Sequence, residues 1–267
     1  MSGDKSIKPQ PDLQSVAQNR FEKAVRAAGF DPENKWIGSY FDYEWTHLRP
    51  LFGAYDLVPS SGRVLEFGCN VGASSLVMAA MGGDVTGIDV DASMIEIASA
   101  NAERHGMANK VVITHVADTR DQPFDNDSFD LVLANSVLEY VQSDELPAVI
   151  REIYRVLKPG GQFFICGTAS RIAPKEIHSG RWFVNYLPRA FDRLMGKNLQ
   201  RGLSPFLLAR TIHGYFTDIS SVGWRKGRVA VHGNLSFSMR MFDWVWHAIG
   251  VGPGWASSHI ELLLRKN

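Results

Sequence analysis

Apolar residues in the middle of the chain form short runs that alternate with amphipathic segments. Short apolar runs bounded by turn residues predict buried β-strands; they lie at residues 63–68, 84–90, 110–116, 129–135 and 162–167. The amphipathic segments predict helices at residues 73–81, 92–106 and 143–161, the last capped by Ser143 and closed by a Pro-Gly-Gly turn. Buried strands separated by helices are typical of a parallel sheet covered on both faces. We therefore predict a doubly wound α/β fold.

The two ends of the chain follow other patterns. Residues 13–29 predict a helix that stops at Gly29, and an aromatic segment predicts a second helix up to Arg49, where Pro50 interrupts it. After the fifth strand, residues 168–202 are too long for a simple connection, so we predict an insertion with its own helix. A helix at 204–216 and a last strand at 259–266 follow. The predicted divisions are a disordered tail (1–14), a helical cap (15–60), a ligand-binding core (61–168), an insertion or lid (169–215) and a C-terminal part that completes the sheet (216–267).

Charge and composition exclude several classes of protein. Lys+Arg and Asp+Glu both number 28 among 267 residues, so no net positive charge favours nucleic acid as a partner. The two cysteines make a disulfide framework improbable, and no apolar run of about 18 residues predicts a membrane span. The polar N-terminus lacks the pattern of a signal peptide, so a cytoplasmic protein is expected. A peripheral contact with a membrane stays open, and the sequence does not predict the oligomeric state.

The turn after the first strand carries the first indication of a ligand. "LEFGCNVG" gives the pattern E-x-G-x-x-x-G, with Glu66, Gly68 and Gly72, and with Asn70 between the glycines. A dinucleotide site requires G-x-G-x-x-G, and a phosphate-binding P-loop requires a lysine that is absent here. A carboxylate at the strand end would repel a pyrophosphate but suits a cationic amine.

Two further acids follow the next two strands. Asp89 ends the second strand, where a carboxylate can accept both hydroxyls of a ribose, and Asp118 follows the third, where it can accept from an adenine amino group. A ligand with an amine, a ribose and an adenine but no phosphates satisfies all three acids. S-adenosylmethionine has those parts.

Four ordered segments resemble the class I S-adenosylmethionine-dependent methyltransferases. They are "VLEFGCNVG", "VTGIDVDASMIEIAS", "VADTRDQPFDNDSFDLVLANSVLEYV" and "EIYRVLKPGGQFFI", within about residues 60–168. The resemblance implies a Rossmann-like sheet of seven strands whose last strand is antiparallel.

The same resemblance implies which residues bind the cofactor. Glu66 and Asn135 would lie at the methionine end and Asp89 at the ribose, while Val90, Asp118 and Thr119 would meet the adenine. The complete predicted set is Glu66, Gly68, Cys69, Asn70, Gly72, Asp89, Val90, Asp118, Thr119 and Asn135. We also predict that Asn70 adopts the left-handed conformation that the family's glycine has at this position.

The acceptor side is less determined by the sequence. A hydroxyl acceptor benefits from a general base, for which His47, His178 and His213 are candidates. Candidate residues of the substrate pocket are Tyr43, Tyr140, Trp182 and Tyr186. Some relatives bind a metal through E-x-x-E-H after the fourth strand; here the stretch reads Ser136, Glu139, Tyr140, so no metal is expected.

The last third of the chain is rich in aromatic residues, Met and Leu, which favours a small hydrophobic or lipid-linked acceptor. We predict an O-methyltransferase for such an acceptor. Methylation at nitrogen or carbon is the alternative within the same chemistry, and a cofactor-binding partner subunit without catalysis is the alternative of a different class. The absent glycines and Glu66 disfavour a nicotinamide-dependent oxidoreductase, and the absence of an acid cluster for polyamines disfavours an aminopropyl transferase.

Overall fold

A seven-stranded sheet crosses the centre of the protein. The computed structural model describes residues 7–188, 191, 200–220 and 223–267. The strands are β1 Arg63–Phe67, β2 Asp84–Asp89, β3 Val111–His115, β4 Phe129–Asn135, β5 Leu157–Ala169, β6 Phe216–Asp218 and β7 His259–Lys266. Their order is β3-β2-β1-β4-β5-β7-β6. β1 to β5 are parallel, whereas β7 pairs antiparallel with both β5 and β6.

Helices cover both faces of this sheet. In the described part of the chain they are α1 Val16–Ala27, α2 Tyr40–Ala54, α3 Ala73–Ala80, α4 Ala92–Arg104, α5 Leu146–Val156, α6 Pro205–Ile212, α7 Gly223–His232, α8 Phe237–Ala248 and α9 Pro253–Ala256. Alternate strand residues point to opposite faces. Val64 of β1 therefore packs in the core under α2, α3 and α4, while Leu65 packs in the core under α5 and α6.

The predicted architecture is confirmed. The sheet is doubly wound and mostly parallel, and its antiparallel strand β7 has the predicted bounds of residues 259–266. The short edge strand β6 was not predicted, because three residues are too few to show an alternation.

Two predicted boundaries in the parallel part are wrong. α5 ends at Val156, not in the Pro-Gly-Gly turn, because Leu157 already pairs with Phe129. A shift of register between Phe129 and Leu131 accommodates the glycines within β5. Ser143 does not cap the helix; Glu145 occupies the N-cap without a side-chain cap hydrogen bond.

The interruption predicted at Pro50 is also wrong. α2 continues through this proline to Ala54. Trp45, Leu48 and Phe52 are all buried on one side of the helix. Their packing holds the helical path even though proline removes one backbone hydrogen bond.

The N-terminal tail and the insertion fall partly outside the described residues. Residues 1–6 of the predicted disordered tail lie outside them, whereas Asp12 donates its N–H to the carbonyl of Arg104 in α4. Residues 189–190 and 192–199, where the insertion was predicted to have its own helix, also lie outside. In the described part of the insertion, isolated bridges join Ser170 to Leu203 and Lys175 to Trp182. Across the residues that the structure describes, no helix is long and apolar enough to cross a membrane.

Candidate functional site

The turn between β1 and α3 has three residues at positive φ. Gly68 has φ +76°, Asn70 +47° and Gly72 +78°, so the predicted left-handed conformation of Asn70 is confirmed. A Cβ on Gly68 would come within 2.2 Å of Val137 Cγ2. Glycine at position 68 therefore lets the backbone approach the segment after β4 closely.

This turn also fixes the carboxylate of Asp89 at the end of β2. Asp89 Oδ2 accepts from the backbone N–H of Asn70 at 2.8 Å, and Oδ1 accepts from that of Asp91 at 3.0 Å. Each oxygen keeps a second lone pair. The half-buried Asp89 thus presents a pre-oriented pair of acceptors, which is the arrangement that two adjacent ribose hydroxyls require.

A cavity of about 430 Å³ opens at the carboxyl ends of β1, β2 and β4. This volume and position are typical of small-molecule sites in parallel sheets. The lining residues come from the first turn, the strand ends and the segment after β4: Tyr40, Glu66, Phe67, Gly68, Cys69, Asn70, Ala73, Ser74, Asp89, Val90, Asp91, Met94, Thr119, Asn135, Ser136, Val137, Tyr140, Val141 and Glu145. Eight of the ten predicted cofactor residues are therefore brought together at one cavity.

The two remaining predicted cofactor residues do not line it. Gly72 forms the N-cap of α3, where an added Cβ would meet Ala98 at 3.1 Å. The exposed carboxylate of Asp118 accepts from Arg120 Nε and Nη2, each at 2.8 Å, and these contacts lower its pKa to about 2. A contact of Asp118 with an adenine stays a prediction.

The inner end of the cavity contains buried polar groups. Glu66 is 2% exposed and accepts from the hydroxyl of Ser75. Asn135 Nδ2 donates to Ser74 Oγ at 3.0 Å and to Glu44 Oε1 at 3.0 Å. Glu44 belongs to α2 and is 3% exposed, so the N-terminal helix places a second buried acid beside the cavity.

Burial raises the pKa of both of these acids. Removal from water raises the pKa of Glu66 to about 8, and the nearby Glu44 adds to that rise. Burial likewise raises the pKa of Glu44 to about 7, against the opposing hydrogen bonds from Tyr40 and Asn135. Burial and neighbouring carboxylates also raise the pKa of the Cys69 thiol, so this cysteine is a neutral lining residue and no nucleophile.

The three candidate histidines lie in different surroundings. His47 stacks on Tyr43 at 3.9 Å between ring centroids, and its Nδ1 contacts the Tyr43 carbonyl at 2.8 Å. His213 is exposed at the end of α6. None of the three histidines lines the cavity. His178 Nε2 lies 3.4 Å from the hydroxyl of Tyr140, which does line it.

A buried carboxylate lies behind His178. Glu139 Oε1 is 3.9 Å from His178 Nε2 and accepts from the Ala169 N–H at 3.2 Å. Its Oε2 is buried without a hydrogen-bond partner in the described part of the chain, and burial raises the pKa of Glu139 to about 7. His178 Nδ1 lies 3.8 Å from Glu176 on its other side.

Of the four aromatic residues predicted for the substrate pocket, two lie at or beside the cavity and two do not. Tyr140 lines the cavity, and Tyr43 stacks on the lining residue Tyr40 at 5.8 Å. Trp182 and Tyr186 are 61% and 56% exposed in the insertion and do not line the cavity. Their contact with an acceptor stays a prediction.

Sequence reasoning did not identify Glu44 as a site residue. A usable signal was present, because Phe41, Glu44 and Leu48 follow the spacing of one helix face, and an acid on an otherwise apolar face calls for a partner. Sequence reasoning did not identify Ser74 and Ser75 of α3 either, which contact Asn135 and Glu66. Among the described residues, no group of three His, Cys, Asp or Glu side chains is arranged to hold a metal ion.

Known proteins resemble this chain in sequence and in fold. Residues 65–165 match the family described as "Methyltransferase domain". The ubiquinone biosynthesis O-methyltransferase of Maricaulis maris is 32% identical over 196 residues, which cover 69% of this chain and 74% of that protein. The chain belongs to the class I S-adenosylmethionine-dependent methyltransferases.

Other matches to the methyltransferase chain are shorter or concern the fold alone. A sterol 4-C-methyltransferase of Caenorhabditis elegans is 34% identical over 101 residues, and the match spans 38% of this chain but only 29% of that protein. The crystal structure of the [4+2]-cyclase SpnF covers 97% of this chain and 98% of its own, with a TM-score of 0.52 and 22% identity. This last similarity shows the fold.

The residues present in the methyltransferase chain fit the family's cofactor. Asp89 offers two fixed acceptors, Val90 and Met94 offer apolar surface at the same cavity, and among the described residues the buried Glu66 interacts with hydroxyls, a backbone N–H and another acid rather than with a cation. These groups have the chemistry that a ribose, an adenine and an amine require.

Proposed function

We propose that this protein transfers the methyl group of S-adenosylmethionine to an oxygen atom of a small hydrophobic or lipid-linked acceptor. The observation that carries the choice of oxygen is the position of His178, 3.4 Å from a lining residue of the cofactor cavity and flanked by carboxylates. A hydroxyl must lose its proton as it becomes methylated, and an imidazole at the cavity entrance can receive that proton.

When bound, S-adenosylmethionine supplies the methyl group and a thioether leaving group. The residues of this chain hold and orient the reactants. Asp89 accepts the ribose hydroxyls, Glu66 and Asn135 hold the amino-acid end, and Val90 with Thr119 borders the adenine. These assignments are proposals for the cofactor-bound protein.

On the acceptor side, His178 receives the proton of the acceptor hydroxyl as the new carbon–oxygen bond forms and the carbon–sulfur bond breaks. The imidazolium that results lies 3.9 Å from the buried Glu139 carboxylate. His178 does not itself line the cavity, so the proton would reach its Nε2 through the hydroxyl of the lining residue Tyr140, 3.4 Å away.

Two features support a hydrophobic acceptor. Large apolar side chains are exposed in the insertion, among them Trp182, Phe183 and Leu187. In addition, a relative matched over 69% of this chain is named for ubiquinone biosynthesis. Both favour an acceptor with a substantial apolar part over a charged one.

The acceptor is tested with S-adenosylmethionine carrying a ¹³C-labelled methyl group and two cell fractions, one lipid-soluble and one water-soluble. We expect a labelled product in the lipid-soluble fraction, and the ¹³C chemical shift of its methyl group to be that of a methoxy carbon. A methyl group on nitrogen or on carbon would overturn O-methylation. Binding of the cofactor without any labelled product from either fraction would favour the partner-subunit alternative.

The base is tested by comparing His178→Ala with His213→Ala. We expect kcat to fall about 10²–10⁴-fold in the first variant, because the proton acceptor is removed. His213→Ala should retain kcat, since His213 is exposed and does not line the cavity. Affinity for S-adenosylhomocysteine should be unchanged in both. Loss of kcat in His213→Ala together with full activity in His178→Ala would overturn the assignment.

A further inference from the structure

The inner end of the cavity is a hydrogen-bonded network that joins two carboxylates from different parts of the chain. Tyr40 donates to Glu44, Asn135 donates both to Glu44 and to Ser74, and Ser74 in turn hydrogen-bonds to Glu66. Four elements therefore meet here: α2, β1, α3 and β4. Tyr40, Glu66, Ser74 and Asn135 all line the cavity, whereas Glu44 acts through Tyr40 and Asn135.

The described neighbours of these two acids include no cation. The hydrogen bonds and electrostatic contacts of Glu44 and Glu66 are with hydroxyls, an amide, a backbone N–H and each other. Around them, α2 contributes Tyr40 and Tyr43, the first turn Cys69 and Asp89, β5 Cys166, and β7 Glu261, which pairs with Arg228 of α7. The one cation in this surrounding group is already engaged by another carboxylate.

Two acids that are both buried and that share one hydrogen-bonded network are costly to ionise together without a countercharge. Burial raises the pKa of Glu44 to about 7 and that of Glu66 to about 8, and the nearby Glu44 adds to the rise at Glu66. Near pH 6.5 the pair therefore holds at least one proton. A ligand that brings a positive charge to Glu66 compensates the ionised carboxylate, so the pair no longer needs that proton.

We propose that Glu44 acts with Glu66 as a two-carboxylate site for the cofactor's ammonium group, and that cofactor binding expels one proton from this pair. The proposal rests on the proposed function, because it takes the cavity to be the S-adenosylmethionine site. The proton passes from the carboxylate pair to the solvent and the ammonium group takes its place, so charge is balanced. Glu44 is a positioning residue, since it reaches the ligand through Asn135 and Tyr40.

One consequence concerns the N-terminal helix. Because Glu44 belongs to α2, the same step strengthens the contact between α2 and Asn135 at the end of β4. Hydrogen bonds to an ionised carboxylate are stronger than those to a neutral carboxyl. The bound cofactor therefore fastens α2 over the core.

The test is calorimetric titration of S-adenosylhomocysteine, which carries the ammonium group and no transferable methyl. Titrations at pH 6.0, 6.5 and 7.0 in buffers of different ionisation enthalpy give the number of protons released. The ligand's own amine stays protonated at these pH values, since α-amino groups titrate near 7.7–8.0 or above. We expect release of about one proton, and therefore an association constant that rises about tenfold per pH unit.

Glu44→Gln removes the titrating group and keeps an oxygen that can accept from Asn135. We expect proton release to fall by about half or more and the affinity to lose most of its pH dependence. Glu66→Gln, measured in parallel, should show the same loss of proton release and of pH dependence. This second variant tests the proposal even if Glu44→Gln does not fold. The matched control is Asp42→Asn, an exposed acid of the same helix that pairs with Lys8; it should behave as the wild type.

Binding without proton release, or with equal release in wild type and Glu44→Gln, would overturn the proposal and leave the proposed function intact. If the folded wild type binds neither S-adenosylhomocysteine nor S-adenosylmethionine, the proposed function itself is wrong.

Discussion

Two buried carboxylates of this protein, Glu261 and Glu66, differ in whether a cation of the protein lies beside them. Glu261 on β7 accepts from Tyr55 at 2.8 Å and pairs with Arg228, which α7 supplies. Among the described residues, Glu66 on β1 interacts with the hydroxyls of Ser74 and Ser75, the backbone N–H of Ser75 and the acid Glu44. The first acid is neutralised by the protein itself and joins two elements. The second acid is left for a ligand to neutralise, and it lies at a cavity.

The difference teaches how a binding carboxylate can be told from a structural one. An uncompensated charge inside a protein costs several kcal/mol, so it persists only where the folded state gains something else from it. At Glu66 we propose that this gain is affinity for the ammonium group of the cofactor. At Glu261 the ion pair itself fixes α7 against the sheet, with Gly227 allowing Arg228 and its helix to lie close to the glutamate.

Of the substitutions that test this comparison, Arg228→Met should have the largest effect on stability. It turns Glu261 into an acid without a cation, and we expect the free energy of unfolding to fall by about 3–5 kcal/mol. Urea denaturation at pH 7.5 measures it. Affinity for S-adenosylhomocysteine should stay within about twofold, since the site itself is not altered.

Lys226→Met is the matched control for that variant. Lys226 is an exposed cation of the same helix, 3.6 Å from Asp56, so its removal should cost less than about 1 kcal/mol. Equal stability of the two variants would show that Arg228 does not compensate a buried charge.

The pH dependence of stability should come next in size. The folded-state pKa of Glu66 is raised to about 8 from an ordinary value of 4.5. The stability that the protonated acid allows is therefore complete below about pH 4.5 and is lost as the pH rises toward about 8. We expect the cofactor-free protein to lose about 2–4 kcal/mol across this window.

Urea denaturation at pH 5, 6.5 and 8 measures this slope. Glu66→Gln should flatten it, and saturating S-adenosylhomocysteine should restore stability at pH 8 because the ligand binds only the folded protein. A slope that is the same in wild type and Glu66→Gln would contradict the buried, uncompensated acid.

Glu66→Gln should also weaken binding of the cofactor. We expect Kd at pH 8 to rise about ten- to hundredfold, because a charged hydrogen bond becomes a neutral one. Calorimetry with S-adenosylhomocysteine measures this. Glu96→Gln, which changes an exposed acid of α4, is the control and should bind as the wild type does. Wild-type affinity in Glu66→Gln would mean that the amine is bound elsewhere.

Asn70→Gly should have the smallest effect. Glycine adopts positive φ at no steric cost, so the turn at φ +47° should keep its shape and Kd should change by less than about threefold. The measurement is the same calorimetric titration. A tenfold loss of affinity would show that the Asn70 side chain itself contacts the cofactor. Neutral side chains would then contribute more to cofactor affinity than we infer.

Local patterns in the sequence determined most of the fold and half of the site. Strand and helix periods gave the parallel sheet because buried strands are uniformly apolar and the covering helices are amphipathic. The acids at strand ends pointed to the cofactor because the carboxyl ends of parallel strands meet at one edge. Such features depend on neighbours in the chain, so a single sequence shows them.

Only the tertiary structure decided which of the similar residues act together. His47, His178 and His213 are equivalent in the sequence, and the course of the insertion alone brings His178 within 3.4 Å of Tyr140. Glu44 and Asn135 are separated by 91 positions and are joined by one hydrogen bond. The sequence by itself determined the parallel sheet, and it predicted that acids at the strand ends face a cationic nucleotide-like ligand. Which buried acid receives its countercharge from the protein and which from a ligand depends on packing between distant elements, because desolvation and charge pairing are properties of the folded interior.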